Sequence, residues 1–451
     1  PGGSVLSGIG YINGVRCMVC VDDSGINAGA ATEMGFRKTL ETMRIALANK
    51  LPFIHLVESA GANLMTYKVE LWAKGGSVFY SLAKLSAAGI PTMTVLHGPS
   101  TAGGAYMPGM SDYNVGVKHN GMAALGGAAL VQAATGEIAN ERELGGSEMH
   151  SSVTGLIEYL AEDDRDGIRQ IREVVGGIGW NEHCPAPPAR SFDESLYEAE
   201  EILGLVPVDY KVPYDSRELI ARLVDGSSFT HFKARYGPNL VCVQASVFGH
   251  PVGLVANNGP MGPDEAAKGA HFFQIIDQAN IPLIFLNNIT GYMVGTEYER
   301  AGMIKHGAKM IQAASNIRVP KLTYYVGASY GAGNYGMAGL GYEPDFLFSW
   351  PAAKTGVMSG ESAAGTMETV ALASAKRRGV EPDMEALAKQ RATIEAIFDA
   401  QEDAFFTSGR MLDNGIIDPR DTRKVLGFTL ETIWERKHRR VQPNAFGIGR
   451  M

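Results

Sequence analysis

Short apolar runs bounded by glycine, proline or polar clusters alternate along this chain with longer stretches of helical periodicity. Tyr11–Val21 alternates apolar and polar positions as a half-buried strand does, and GFRKTLETMRIALANK (35–50) repeats its apolar positions every three to four residues. Pro52–Val57 is continuously apolar and predicts a buried strand. Gly76–Ala88 predicts a helix, and Pro91–Leu96 a further short strand. The run ends in GPSTAGGAYMPGMSD (98–112), a glycine-rich turn leading into a helix. The same order recurs from Leu240 to Gly341. Strands alternating with helices predict βαβ units, hence largely parallel sheets covered by helices.

The recurrence is a duplication. Lys38, Pro52, Gly61, Pro91 and Tyr106 find counterparts in Lys268, Pro282, Gly291, Pro320 and Tyr335, with steps of 14, 9 and 15 residues kept between Lys and Pro, Pro and Gly, and second Pro and Tyr. The text around these anchors matches too: KLPFIHLVESAG against NIPLIFLNNITG, and GIPTMTVLHGPSTAGGAY against RVPKLTYYVGASYGAGNY. A repeat this long is no solenoid; it means two related α/β domains. NEHCPAPPARSFDES (181–195) holds three prolines and reads as the linker, so the expected domains are 1–195 and 196–451. The acidic AEDDRD (161–166) and basic KHRR (437–440) read as solvated helix ends, and the stretch from Met384 to Ser408 as a packing helix.

Composition narrows the classes. With 451 residues, 45% hydrophobic and 20% charged, the chain has ample core for two globular domains. The net charge of −8 and the lack of a basic stripe interleaved with aromatics argue against nucleic acid as a partner. No run of about 18 uncharged apolar residues argues for a membrane span. The chain opens at Pro1 beside a strand-like segment, so the natural N-terminus is expected to be missing and a targeting peptide is not judged from it. Four cysteines suit a reducing compartment. Cys17 and Cys20 are spaced as CxxC, but within a strand pattern they face opposite sides, which favours a structural role.

Two loops carry the candidate chemistry: Ser100-Thr-Ala-Gly-Gly-Ala-Tyr106 and Gly327-Ala-Ser-Tyr-Gly-Ala-Gly-Asn-Tyr335. The repeat places Gly103-Gly104 opposite Ala332-Gly333. Minimal side chains between a buried strand and a helix let a substrate oxygen reach backbone N–H groups at a helix N-terminus, which is the specification of an oxyanion hole. No phosphate-binding loop, HExxH or nucleophile elbow is present, and GIGYING (8–14) precedes a strand rather than opening a helix. His150, His231, His250 and His271 lack acidic partners at metal-ligand spacing. Glu58 faces Asn288 across the repeat, so a shared acid–base function is not supported. The lack of an obvious general base favours two oxyanion holes and a bound cofactor that moves the proton.

TAGGAY (101–106), ATGEIANERELGGSEMH (134–150), DGSSFTHFKARYG (225–237), HPVGLVANN (250–258), KGAHFFQIIDQANIPLIFLNNITGYMVG (268–295), YGAGNYGM (330–337) and GIIDPRDTR (415–423) resemble the carboxyltransferase β subunits of biotin-dependent acyl-CoA carboxylases, from about Gly8 to Met451. NNITGYMVGTEYERAGMIKHGAKM and SYGAGNYGM are most similar to the methylcrotonyl-CoA and geranyl-CoA carboxylase branch. The resemblance implies two tandem crotonase-like (ClpP/crotonase) domains and transfer of CO2 from carboxybiotin to the acyl carbon of a CoA thioester. Freed biotin takes the α or vinylogous γ proton.

The resemblance further implies an acyl-CoA hole at Gly103 and Gly104, flanked by Ala60, Gly61, Ala102 and Tyr106, with Arg37 and Lys38 toward the CoA phosphates. It implies a biotin hole at Ala332 and Gly333, with Gly291, Gly331, Asn334 and Tyr335 beside it. No metal is implied in this chain. The chain has no A-M-K-M biotinylation motif, so a biotin carboxylase/biotin carboxyl carrier α subunit is the expected partner, within a hexamer of this chain in a bacterial cytoplasm or mitochondrial matrix. The expected substrate is of the 3-methylcrotonyl-CoA type; MTYKVELWAKGGSV (65–78) departs from the acidic, proline-containing stretch usual there, which keeps geranyl-, propionyl- and acetyl-CoA as alternatives. A glutaconyl-CoA-type decarboxylase subunit and a non-catalytic hexameric scaffold are the alternatives.

Overall fold

The computed structural model describes residues 3–449 apart from Ala62, Leu64, Thr66 and Asn258. The chain forms two compact units. One comprises Gly2–Pro187 together with Thr432–Met451, here the N-terminal unit; the other is Pro188–Glu431, the C-terminal unit. The return of the last twenty residues to the first unit has no signal in the hydrophobic pattern. KHRR (437–440), expected as a solvated helix end, explains part of it. Arg439 is 3% exposed, and its guanidinium donates to the Trp180 carbonyl at 2.5 Å and to Glu435 at 3.3 Å.

The N-terminal unit runs β1 (Val5–Ile12), β2 (Val15–Asp22), α1 (Glu33–Asn49), β3 (Phe53–Ser59), α2 (Val69–Ala87), β4 (Thr92–Thr101), α3 (Tyr106–Met110), β5 (Tyr113–Val117), β6 (Met122–Ala124), β7 (Tyr159–Ala161) and α4 (Asp164–Gly177). The sheet order is β1-β2-β3-β4-β5-β7, with β6 on β4; only β1 and β2 pair antiparallel. Tyr11–Val21 is therefore not one strand. Asn13 and Gly14, at φ 46° and 73°, make the two-residue turn that Asn-Gly favours. The second helix begins at Val69 rather than Gly76, because Gly75 and Gly76 lie within it. Thr32 caps α1 by accepting from the Gly35 N–H at 3.0 Å, and Asp163 caps α4, so AEDDRD is a helix start.

The C-terminal unit repeats the frame: β8 (Thr230–His231), β9 (Leu240–Val247), β10 (His250–Asn257), α5 (Pro263–Ala279), β11 (Leu283–Ile289), α6 (Met303–Asn316), β12 (Lys321–Tyr330), α7 (Gly331–Gly336), β13 (Phe346–Ser349) and β14 (Lys354–Gly356). Its sheet order is β13-β12-β11-β10-β9-β8, with β14 on β12. Helices α8 (Gly360–Arg378), α9 (Met384–Glu402) and α10 (Thr422–His438) follow. Of the stretch 384–408, expected to pack, α9 buries a single residue, Glu402.

Both sheets break register at the same place. Pairing shifts between Val57 and Ser59 on β3, and between Asn287 and Ile289 on β11. Beyond the shift Ser59 still pairs with Ser100 and Ile289 with Ser329, just before the turns that follow β4 and β12.

Cys17 and Cys20 lie buried in β2. Burial pushes the Cys17 thiol up to about 12, which suits a structural role for that residue.

Candidate functional site

Ala102 and Gly331 are the first residues after β4 and β12, and both are left-handed, at φ 52° and 57°. This bend turns the chain so that the next N–H groups open a new helical segment, where first-turn N–H groups have no acceptor within the segment. The two turns share their tight approach to a neighbouring strand end. A Cβ on Gly104 would lie 2.6 Å from Ser100 Oγ and 3.1 Å from Ser59 Cβ. A Cβ on Gly333, its counterpart, would lie 2.5 Å from Ile289 Cγ1 and 3.1 Å from Gly291 Cα. Both glycines are required by close approach to the preceding strand. Gly103 is different: a Cβ there would meet only the Phe79 ring, at 3.4 Å.

The N-terminal turn opens onto a cavity of about 570 Å³. Phe36, Leu71, Trp72, Val78, Phe79 and Met107 form an apolar wall. Ser4, Asp22, Thr32, Thr39, His55 and Ser59 form the wall opposite in character. Gly61, Ala102, Gly103 and Gly104 line it. Arg37, Lys38, Ala60 and Tyr106 do not. Arg37 is exposed and pairs with Glu33 at 2.9 Å; Glu33 lines the cavity and also meets Lys68 at 3.4 Å. Lys38 is half-buried, and burial lowers its pKa. Tyr106 stacks edge-on against Phe79, at 5.6 Å between ring centres.

The pattern of apolar positions did not reveal the His55–Asp22 pair in this cavity. Nε2 lies 3.2 Å from Asp22 Oδ1, and the His55 side chain is 4% exposed. Burial works against the imidazolium, but Asp22, with Cys20 beside it, outweighs burial and holds His55 well above its usual pKa. Glu58 ends near His97, at 3.8 Å. His250, without a helical partner in sequence, meets Glu431 at 3.1 Å through tertiary packing.

In the C-terminal unit the turn rests on polar groups. Asn334 Nδ2 donates to Tyr325 Oη and Ser329 Oγ, both at 2.9 Å, and Asn287 Nδ2 donates to Ser329 Oγ and the Met337 carbonyl, both at 3.2 Å. Asn334, an expected cofactor contact, is thus turned beneath the loop. Tyr335 is 50% exposed and packs on Tyr342, at 5.8 Å between ring centres. Gly291, at φ 131°, has open space where a Cβ would stand. The residue before the turn, Tyr330, is 1% exposed and donates to Glu402 Oε2 at 2.7 Å; Lys354 Nζ meets Glu402 Oε1 at 2.6 Å. Burial first, and Glu402 second, push the Tyr330 hydroxyl far above its usual pKa, while the bond to Glu402 raises Lys354.

Among the described residues no group of three or more His, Cys, Asp or Glu side chains could hold a metal ion, and no helix is long and apolar enough to cross a membrane.

Residues 1–446 match the family model described as carboxyl transferase domain. A Mycobacterium tuberculosis protein named probable biotin-dependent acyl-coenzyme A carboxylase beta2 subunit is 47% identical over 96% of this chain and 81% of its own length. The mitochondrial methylcrotonoyl-CoA carboxylase beta chain of Dictyostelium discoideum is 41% identical over 100% of this chain and 76% of its own. Among solved structures, the beta subunit of P. aeruginosa geranyl-CoA carboxylase superposes with a TM-score of 0.92 at 47% identity, covering 100% of this chain and 84% of that one.

Proposed function

This chain belongs to the carboxyl transferase family, and from that premise we propose that its N-terminal cavity takes an acyl-CoA and its C-terminal turn takes carboxybiotin. It is the carboxyltransferase subunit of a biotin-dependent acyl-CoA carboxylase. The observation that carries the division of labour is the pair of turns entered through left-handed Ala102 and Gly331, of which the N-terminal one opens on a cavity of about 570 Å³.

The N–H groups around Gly103 and Gly104 face the cavity where a thioester oxygen would turn into an enolate oxygen. Such donors are each worth about 3–4 kcal/mol in a transition state. Phe79, Trp72 and Leu71 shield that oxygen from water and hold the acyl chain. Ala332 and Gly333 present the matching donors to a ureido oxygen, and their lack of bulk fits a planar ring system. Carboxybiotin, carried by a partner α subunit, supplies CO2 and afterwards a base for the substrate proton. The apolar wall favours a branched acyl group of the 3-methylcrotonyl type over acetyl or propionyl. The P. aeruginosa relative makes a geranyl chain the second reading. A hexamer of this chain is the proposed assembly.

The test runs the transfer backwards, without ATP or partner. The purified chain is incubated with biocytin and 3-methylglutaconyl-, carboxygeranyl-, methylmalonyl- or malonyl-CoA, and loss of the carboxylated thioester is followed. Biocytin-dependent turnover of one thioester is the expected result and names the acyl class. Equal turnover without biocytin would overturn the reading.

A further inference from the structure

Glu402 is the residue of the C-terminal unit that local rules least explain. It ends a helix of 19 residues and is the one residue of α9 that is buried. A carboxylate in that position faces the negative end of the helix dipole and gives up its water. As an anchor alone, an apolar or cationic side chain would serve better there. A local rule broken without local gain points to a role elsewhere.

The two donors on Glu402 show where. Tyr330 is the last residue of β12, and the next residue is Gly331, which begins the turn that carries Ala332 and Gly333. Lys354 opens β14, whose residues Lys354–Gly356 pair with Ala328–Tyr330; Thr355 Oγ1 adds a bond to the Ser329 carbonyl at 2.8 Å. The Val357 carbonyl, just beyond β14, lies 3.1 Å from where a Cβ on Gly331 would stand. One carboxylate therefore holds both the strand end that enters the turn and the strand that floors it. In the N-terminal unit β6 pairs with Pro99–Thr101 in the same way. The counterpart of Tyr330 there is Thr101, whose side chain makes no hydrogen bond among the described residues.

We infer that Glu402 is a positioning residue for the carboxybiotin half of the reaction, fixing the backbone of Gly331–Gly333 against a ureido ligand through Tyr330 and Lys354. This rests on the reading of the C-terminal turn given above. Glu402 touches neither substrate nor cofactor, so its removal should separate the two substrates kinetically.

The experiment compares the full chain with Glu402→Gln and Tyr330→Phe in the biocytin-dependent decarboxylation assay, and follows amide hydrogen exchange peptide by peptide. Expected is a rise of about tenfold or more in KM for biocytin with KM for the acyl-CoA within about twofold. Exchange should quicken across 331–335 and stay unchanged across 102–106. An unchanged biocytin KM, or equal losses for both substrates with exchange quickened throughout the unit, overturns the inference as a purely structural role. Should the wild-type chain give no biocytin-dependent turnover, the functional reading fails by itself, and exchange confined to 331–335 still decides for or against the clamp. If Glu402→Gln does not fold, Tyr330→Phe, which removes one hydroxyl, carries both readouts.

Discussion

Beneath α1 the sheet presents Cys20, His55 and Thr94 in one register row; beneath α5, at the matching positions, it presents Val255, Phe285 and Thr323. The helices differ in the same sense. α1 brings Thr39, Thr42 and Met43 where α5 brings Gly269, Phe272 and Phe273. Phe273 packs against Phe285 at 5.3 Å between ring centres, and these three phenylalanines have no exposed surface. Their replacement by smaller or polar side chains leaves the first unit hollow at this layer, and Thr39 and His55 line the cavity. Below the turns the contrast reverses. The N-terminal turn rests on an apolar cluster of Leu96, Ala123 and Ile157 with Ala105, the C-terminal one on Asn287, Ser329, Asn334 and Tyr325. Duplication preserved the frame, and divergence lay in what fills it. One unit keeps a cavity between helix and sheet, and the other offers a turn fixed from beneath by directional bonds.

The largest expected effect comes from abolishing each turn in its own unit. Gly104→Val and Gly333→Val should each lower kcat by about 10²–10³-fold. Calorimetry should show acyl-CoA binding surviving only in Gly333→Val, and biocytin binding surviving only in Gly104→Val. Loss of both ligands from either variant would break the proposed division.

Next in size, His55→Phe gives the N-terminal row the ring of the C-terminal one. Cavity volume should fall, and Kd for acyl-CoA should rise about tenfold or more while the fold is kept. The same variant tests the pH dependence. A histidine whose folded pKa is raised contributes stability that is fully present below its unfolded pKa, near 6.5, and is lost as pH rises through the folded value. Melting temperature of the wild-type chain should therefore decline through this group as pH rises above about 6.5, and the decline should be shallower in His55→Phe. Identical slopes would remove His55 from the account.

A smaller effect separates the two left-handed residues. Gly331→Ala should cost about 1 kcal/mol, from the positive φ and the Val357 carbonyl together, whereas Ala102→Gly should be neutral or gain about 0.5 kcal/mol. Chemical denaturation measures both. Smallest of all, Arg37→Ala should raise KM for acyl-CoA no more than about threefold, because the side chain is exposed and already paired with Glu33. A larger rise would place the CoA phosphates at α1.

Much of this was legible in the chain. The five anchor pairs fall on equivalent elements: Lys38 and Lys268 on α1 and α5, Gly61 and Gly291 after β3 and β11, Tyr106 and Tyr335 in the helices after the turns. Periodicity and spacing are local, and the duplicated elements are defined locally. What escaped depends on distant partners. Arg439 meets Trp180, Asp22 meets His55, and Glu402 meets Tyr330, each across a span that no period encodes. One further signal was available. Aligning the repeats sets His55 opposite Phe285, a titratable group against a core ring, and that mismatch marks the hollow layer. The early start of α2 was masked by Gly75 and Gly76, whose missing side chains weaken a helix but here leave room beside the cavity they line.

The return of Thr432–Met451 to the N-terminal unit also sets an order of events on the ribosome. Gly2–Pro187 emerge before the C-terminal unit, and Glu435 and Arg439, which close on Arg16 and Trp180, only after it. Between Pro187 and Thr432 lie the 244 residues of Pro188–Glu431 (431 − 187), roughly 12–50 s of synthesis at about 5–20 residues per second. Throughout that interval the first half lacks the Arg16–Glu435 ion pair and the Arg439–Trp180 bond. The packing of the N-terminal unit is thus completed only after the C-terminal unit has been made.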